Sequence, residues 1–84
     1  MNDRERLLAA LAALAQRHEI YRAKGFVALP GAAMRLLVQG VGQRFDSQFD
    51  RPWRAGEERS TRLVLIGDHL DVAVLQAELQ QALA

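Results

Sequence analysis

The hydrophobic period of this chain changes twice, and those changes restrict what it can fold into. Leu7, Leu11 and Leu14 recur at three- and four-residue steps, with Leu8 and several alanines widening the stripe. That spacing lines one side of an α-helix of about four turns. Asn2 and Glu5 have the spacing of a capping box, and the helix is expected to end near Arg17 and His18. From Glu19 the period drops to two, the signature of strands. It returns to helical spacing after Asp71, a residue suited to cap a second helix whose buried stripe is expected at Val72, Leu75, Leu79 and Leu83.

The middle region divides at its turn residues. Tyr21, Ala23, Gly25, Val27 and Leu29 are expected on one face of the first strand, and Ile20, Arg22, Lys24, Phe26 and Ala28 on the other. Pro30 and Gly31 signal a turn, because proline presets one torsion and glycine accepts a positive one. Met34 to Val41 forms the second strand, with a bulge or tight bend suggested at Gly40 and Gly42. Gln43 to Asp50 alternates as a half-solvated strand, with Phe45, Ser47 and Phe49 opposite Arg44, Asp46, Gln48 and Asp50. Arg51 to Arg59 holds a proline, a glycine and many charges and reads as a loop. Thr61 to Ile66 reads as a short fourth strand.

The order is therefore α-β-β-β-β-α. Each helix can bury only one stripe, and an antiparallel sheet offers one face to receive them. The expected fold is α+β: a two-layer sandwich of about four antiparallel strands with two helices on one face. Ala23 and Gly25 are expected beneath the helices, where small side chains allow close approach. The opposite face would carry Arg22, Lys24 and Phe26 with Arg35, Leu37 and Gln39 beside them. That mixture is neither cleanly polar nor cleanly apolar and reads as a surface that something else covers.

Composition narrows the function classes. The 84 residues make a single domain, small enough to bury only about two-thirds of the surface its unfolded form exposes. Half of them are hydrophobic, which argues against disorder. A net charge of +1 gives no electrostatic case for nucleic acid. The absence of cysteine excludes disulfides, thiolate nucleophiles and thiolate metal sites within this chain. No apolar run approaches the ~20 residues of a membrane span, and a cytoplasmic setting is expected.

Chemistry has little to stand on. Asp46 and Asp50 share a strand face but lie roughly 13 Å apart by strand rise, with no nucleophile beside them. His18 ends one helix and His69 precedes the other, so both read as capping or turn residues rather than metal ligands. Catalytic, cofactor-binding and metal-binding residues are each read as none.

Three runs of sequence identify a family. RAKGFVAL (22–29), MRLLVQGVGQRFDSQFDRPWR (34–54) and TRLVLIGDHLD (61–71) resemble the C-terminal domain of CobW, the cobalamin-biosynthesis protein of the GTPase-like metallochaperones. The Arg22-Ala23-Lys24-Gly25 strand, the Leu63–Asp71 segment and the QGVG and DRPW strings carry the likeness. The resemblance implies a longer parent. Its N-terminal GTPase domain would bind GTP and Mg, hold a Cys-rich site for Co or Zn, and couple hydrolysis to cobalt delivery. Neither a phosphate loop nor a Cys-x-Cys-Cys run occurs in this chain, since Gly40, Gly42 and Gly56 lack a following Lys-Ser/Thr. The family's domain opens with a strand before the first helix, so residues 1–84 are expected to be a fragment with one sheet edge left open.

The expected role is a non-catalytic interaction or regulatory domain. Arg22, Lys24, Phe26, Arg35 and Leu37 form its candidate docking face. The expected partners are the parent's GTPase domain and a cobalt-inserting enzyme. Trp53, between Arg51 and Arg54, is the candidate loop anchor, with the preferred reading that its ring folds back over the core edge. Two alternatives belong to other classes. An RNA-binding sheet would need several stacking aromatics, and only Phe26 is placed for it. A self-associating module would dimerise through the exposed sheet edge.

Overall fold

A computed structural model describes residues 2–83. Its elements follow the expected order: α1 (Asp3–Arg17), β1 (Glu19–Val27), β2 (Met34–Val41), β3 (Arg44–Pro52), β4 (Arg62–Asp68) and α2 (Val72–Leu83). The strands form one antiparallel sheet in the order β3-β2-β1-β4, with both helices on one side. The fold is the anticipated two-layer α+β sandwich.

Local chemistry sets the helix ends. The Asn2 side chain accepts from the Glu5 amide at 2.8 Å, and Asp3 and Glu5 place negative charge in the first turn of α1. At α2 the Asp71 carboxylate accepts from the Ala73 amide at 3.0 Å. Leu7, Leu11 and Leu14 of α1 are almost fully buried against Ile20, Val27, Leu36, Val38 and Leu75. Arg4 ties the start of α1 to β3, donating to the Ser47 hydroxyl at 2.8 Å and to its carbonyl at 2.6 Å.

The structure departs from the sequence reading in several places. A bulge in β1 falls between Ile20 and Arg22, where Ile20 pairs with Gly67 and Arg22 with Ile66. Ile20 thereby joins the core face at 4 % exposure, while Tyr21 turns out to 50 % exposure, the reverse of the simple alternation. A second bulge is in β3, where Asp50 is the extra residue between Phe49, opposite Leu36, and Arg51, opposite Arg35, rather than at Gly40 or Gly42. Gly42 instead takes a positive φ of 59° in the tight β2–β3 turn. β3 runs on through Arg51 and Pro52, which the sequence assigns to a loop, and β4 spans Arg62–Asp68 rather than residues 61–66.

Two helix expectations also change. Gly25 does not make room for a helix: a Cβ there would lie 2.0 Å from the Arg62 carbonyl oxygen of β4. Its smallness lets two strands approach. In α2, Leu75 is buried and Leu79 half-buried, but Val72 is 66 % exposed. The side chain of Leu83 lies outside the described residues. Val72 sits at the first helical position, where the chain has not yet turned onto the core.

Candidate functional site

The helix-free face of the sheet is a grid set by strand register. One row runs Arg44–Val41–Arg22–Ile66 and the next Asp46–Gln39–Lys24–Val64. A third runs Gln48–Leu37–Phe26–Arg62. Arg22 and Lys24 are both exposed, and neither has a hydrogen-bond or ion-pair partner among the described residues. Around them stand Val41, Val64 and Ile66, exposed at 61, 64 and 57 %. Together with Arg44 they line a broad depression of about 600 Å³. Apolar side chains this exposed, set among cations, mark a surface of mixed character.

The other end of the face is already occupied by the protein itself. The segment 53–61 leaves β3 at one sheet edge and reaches β4 at the other, so it must cross the sheet. The Trp53 amide donates to the Ala33 carbonyl at 3.0 Å. The Trp53 ring lines a second depression with Phe26, Arg35 and Arg62, which puts it at the end of the helix-free face. Its indole N–H is buried without a hydrogen-bond partner. Arg35 donates to Asp50 at 2.6 Å and stacks on the Phe26 ring, with its guanidinium carbon 3.6 Å from the ring centre. The five candidate residues therefore separate. Among the described residues Arg22 and Lys24 have no partner, Phe26 and Arg35 are engaged with each other, and Leu37, opposite Phe26 on the neighbouring strand, is half-buried.

Arg51 anchors the crossing segment through a two-pronged pair with Glu57, at 2.9 and 2.8 Å. The Arg54 amide donates to the same carboxylate at 2.9 Å. Those donors hold the Glu57 carboxyl down at about 2, the Arg51 hydrogen bonds being the main cause. At the opposite corner, the Tyr21 hydroxyl donates to Asp68 at 2.7 Å. That bond, with the nearby negative charge, pushes Tyr21 up to about 12.

The histidines do not converge. The His18 ring meets Glu78 of α2 at 3.1 Å, beside an Arg17–Glu78 ion pair at 3.0 Å, and these donors lower the Glu78 carboxyl. His69 is an exposed turn residue with a positive φ of 56°. Among the described residues no three His, Asp or Glu side chains gather as a metal site. No helix of the described residues is long and apolar enough to cross a membrane.

Sequence reasoning missed Val41, Arg44, Val64 and Ile66. A signal was present, since each alternates with core positions of its strand. The LVLI run of β4, however, reads as apolar on both sides, which conceals the exposed pair.

Two helices cover one side of an open four-stranded antiparallel sheet, with cations and exposed apolar residues on the other, which defines a two-layer α+β domain. The family is specific: residues 2–83 match the cobalamin synthesis protein cobW C-terminal domain, and the chain belongs to that family. It is 62 % identical over 78 residues to a Pseudomonas aeruginosa protein named zinc chaperone CobW, covering 93 % of this chain and 21 % of that one. A Sinorhizobium protein of the same name is 54 % identical over 61 residues, 71 % of this chain and 17 % of its own length. The Zn(II)-bound YjiA GTPase of E. coli superposes with a TM-score of 0.70 at 28 % identity, over 95 % of this chain and 24 % of that one. The chain thus spans about a fifth of the length of the curated relatives it matches.

Proposed function

We propose that this chain is the non-catalytic interaction and regulatory domain of a cytoplasmic GTP-dependent metal chaperone. Its contact with the nucleotide-binding part of the same protein is the Arg22–Lys24 end of the helix-free face. The observation that supports this is the pair of unpartnered cations ringed by exposed Val41, Val64 and Ile66. Apolar contacts there would supply affinity, while the cations select an acidic surface and orient it. Membership of the cobW C-terminal domain family supports placing the chain in a metal chaperone of this kind.

The cargo is where the two lines of inference part. The sequence resemblance implies cobalt delivery for cobalamin synthesis, whereas both curated relatives bear the name zinc chaperone. We take zinc as the metal handled by the parent, bound outside this chain with GTP and Mg. A metal-receiving enzyme is the second partner proposed for the same face.

The test mixes this chain with the part of the Pseudomonas aeruginosa relative that it does not cover. Calorimetry is expected to show binding that weakens at least tenfold in the Arg22→Glu/Lys24→Glu variant. Arg59→Glu, on the crossing segment, should leave it unchanged. Equal affinity for all three proteins would defeat the assignment of this face.

A further inference from the structure

We infer that the partner received at the Arg22–Lys24 end of the sheet is an amphipathic α-helix lying along β1 and β4. Its carboxylates stand one turn apart over the two cations, and its apolar stripe covers Val64 and Ile66. The inference rests on the reading of this face as the contact with the nucleotide-binding part of the protein, and it specifies what that part presents.

Spacing is the first ground. Arg22 and Lys24 stand on the same strand face, ~6.8 Å apart by strand rise. Residues four apart on a helix are ~6 Å apart along its axis and share one side. Successive turns therefore bring one carboxylate to each cation, and neither cation has another partner among the described residues.

The chemistry beside the cations repeats with the same step. Ile66 lies opposite Arg22 and Val64 opposite Lys24, exposed at 57 and 64 %. A cation next to an exposed apolar side chain, twice in succession, matches the border of a helix whose acidic and apolar sides run in parallel. The other flank excludes the alternative placement. Asp46 of β3 shares a row with Gln39 and Lys24, and it would repel carboxylates laid over β2 and β3.

An extended segment repeats at ~6.8 Å as well, so spacing does not decide between strand and helix. Backbone chemistry does. A strand or loop laid flat on this face would bury N–H and C=O groups against Val41, Val64 and Ile66, whose side chains offer no hydrogen bond. A helix bonds those groups internally. The available length is short, because the next row holds Phe26, covered by Arg35, with Trp53 lining the depression beyond. The helix touches the sheet over about two turns, too few to be stable alone, so it belongs to a folded body rather than to a free peptide.

Lys24 is the chain's one lysine, so a carbodiimide joins its amine, and otherwise only the terminal amine, to carboxylates of a partner. The experiment treats the complex of this chain with the part of the Pseudomonas aeruginosa relative that it does not cover, and maps the joined peptides by mass spectrometry. Arg22→Lys supplies a second amine one row away. The partner carboxylates joined to Lys24 and to position 22 are expected three or four residues apart in one segment. Val64→Thr/Ile66→Thr, which keeps the branched shape, should weaken calorimetric binding about tenfold. A spacing of two residues, carboxylates far apart in sequence, or an affinity indifferent to the two threonines would overturn the helix while leaving the contact in place. Coupling at neither position would overturn the contact itself, and the helix with it.

Discussion

Tyr21 donates to Asp68 beside the carboxylate of Glu19, and its ionisation is pushed from 10.0 up to about 12. Because the folded value is raised, the bond stabilises the fold below the unfolded value and is lost as pH climbs from 10 through 12. Tyr21 is the chain's one tyrosine, so absorbance reads it alone. Asp68→Asn is expected to bring its titration back toward 10; a midpoint left near 12 would show that the bond is not the cause. Glu57 has the opposite sign. Its folded value is lowered from 4.5 to about 2, so its contribution is present above 4.5 and lost as pH falls through that window. Trp53 lies in the same segment, and its emission should shift in acid as the segment loosens. In Glu57→Gln that shift should already be present at neutral pH.

The strands and helices separate what the residue pattern could convey from what it could not. Helix α1 was legible because cap, stripe and terminus agree, and Leu7, Leu11 and Leu14 are buried where their spacing puts them. The β1 bulge was not legible, because Ile20 and Tyr21 are both apolar enough to occupy either face. Only the pairing of Arg22 with Ile66 shows which one turns inward. Gly25 was placed on the correct face for the wrong reason. Its closest constraint is the Arg62 carbonyl of a neighbouring strand, which no local pattern reveals. Gly25→Ala should therefore cost about 1–3 kcal/mol in urea unfolding, by forcing β1 and β4 apart. In α2, Leu75→Ala should cost about 2–5 kcal/mol and Val72→Ser almost nothing. Equal losses would mean that α2 is rotated relative to the structure.

At the scale of the whole molecule, the described residues form one open sheet whose helix-free face exposes cations beside valine and isoleucine side chains. The chain lacks cysteine and a phosphate loop, and the described residues gather no metal site. Calorimetric titration of this chain with zinc, cobalt or GTP is accordingly expected to show no micromolar binding, and such binding would move the metal or nucleotide function into this domain. The candidate face was half legible. Arg22 and Lys24 follow from alternation within one strand, but Val41, Val64 and Ile66 join them only through strand order, a long-range property. Residues 51–59 were read as a charged loop, and nothing local indicates that the chain after Pro52 passes from one sheet edge to the other, with Trp53, Glu57 and Glu58 around the same depression as Phe26 and Arg35. That crossing bears on how the protein is made. β1 lies in the interior of the sheet yet is translated early, and its neighbour β4 follows only after β2, β3 and the whole crossing segment. During synthesis β1 must therefore wait with one side bare, and a ribosome that pauses before Arg62 would hold the domain at its most aggregation-prone moment.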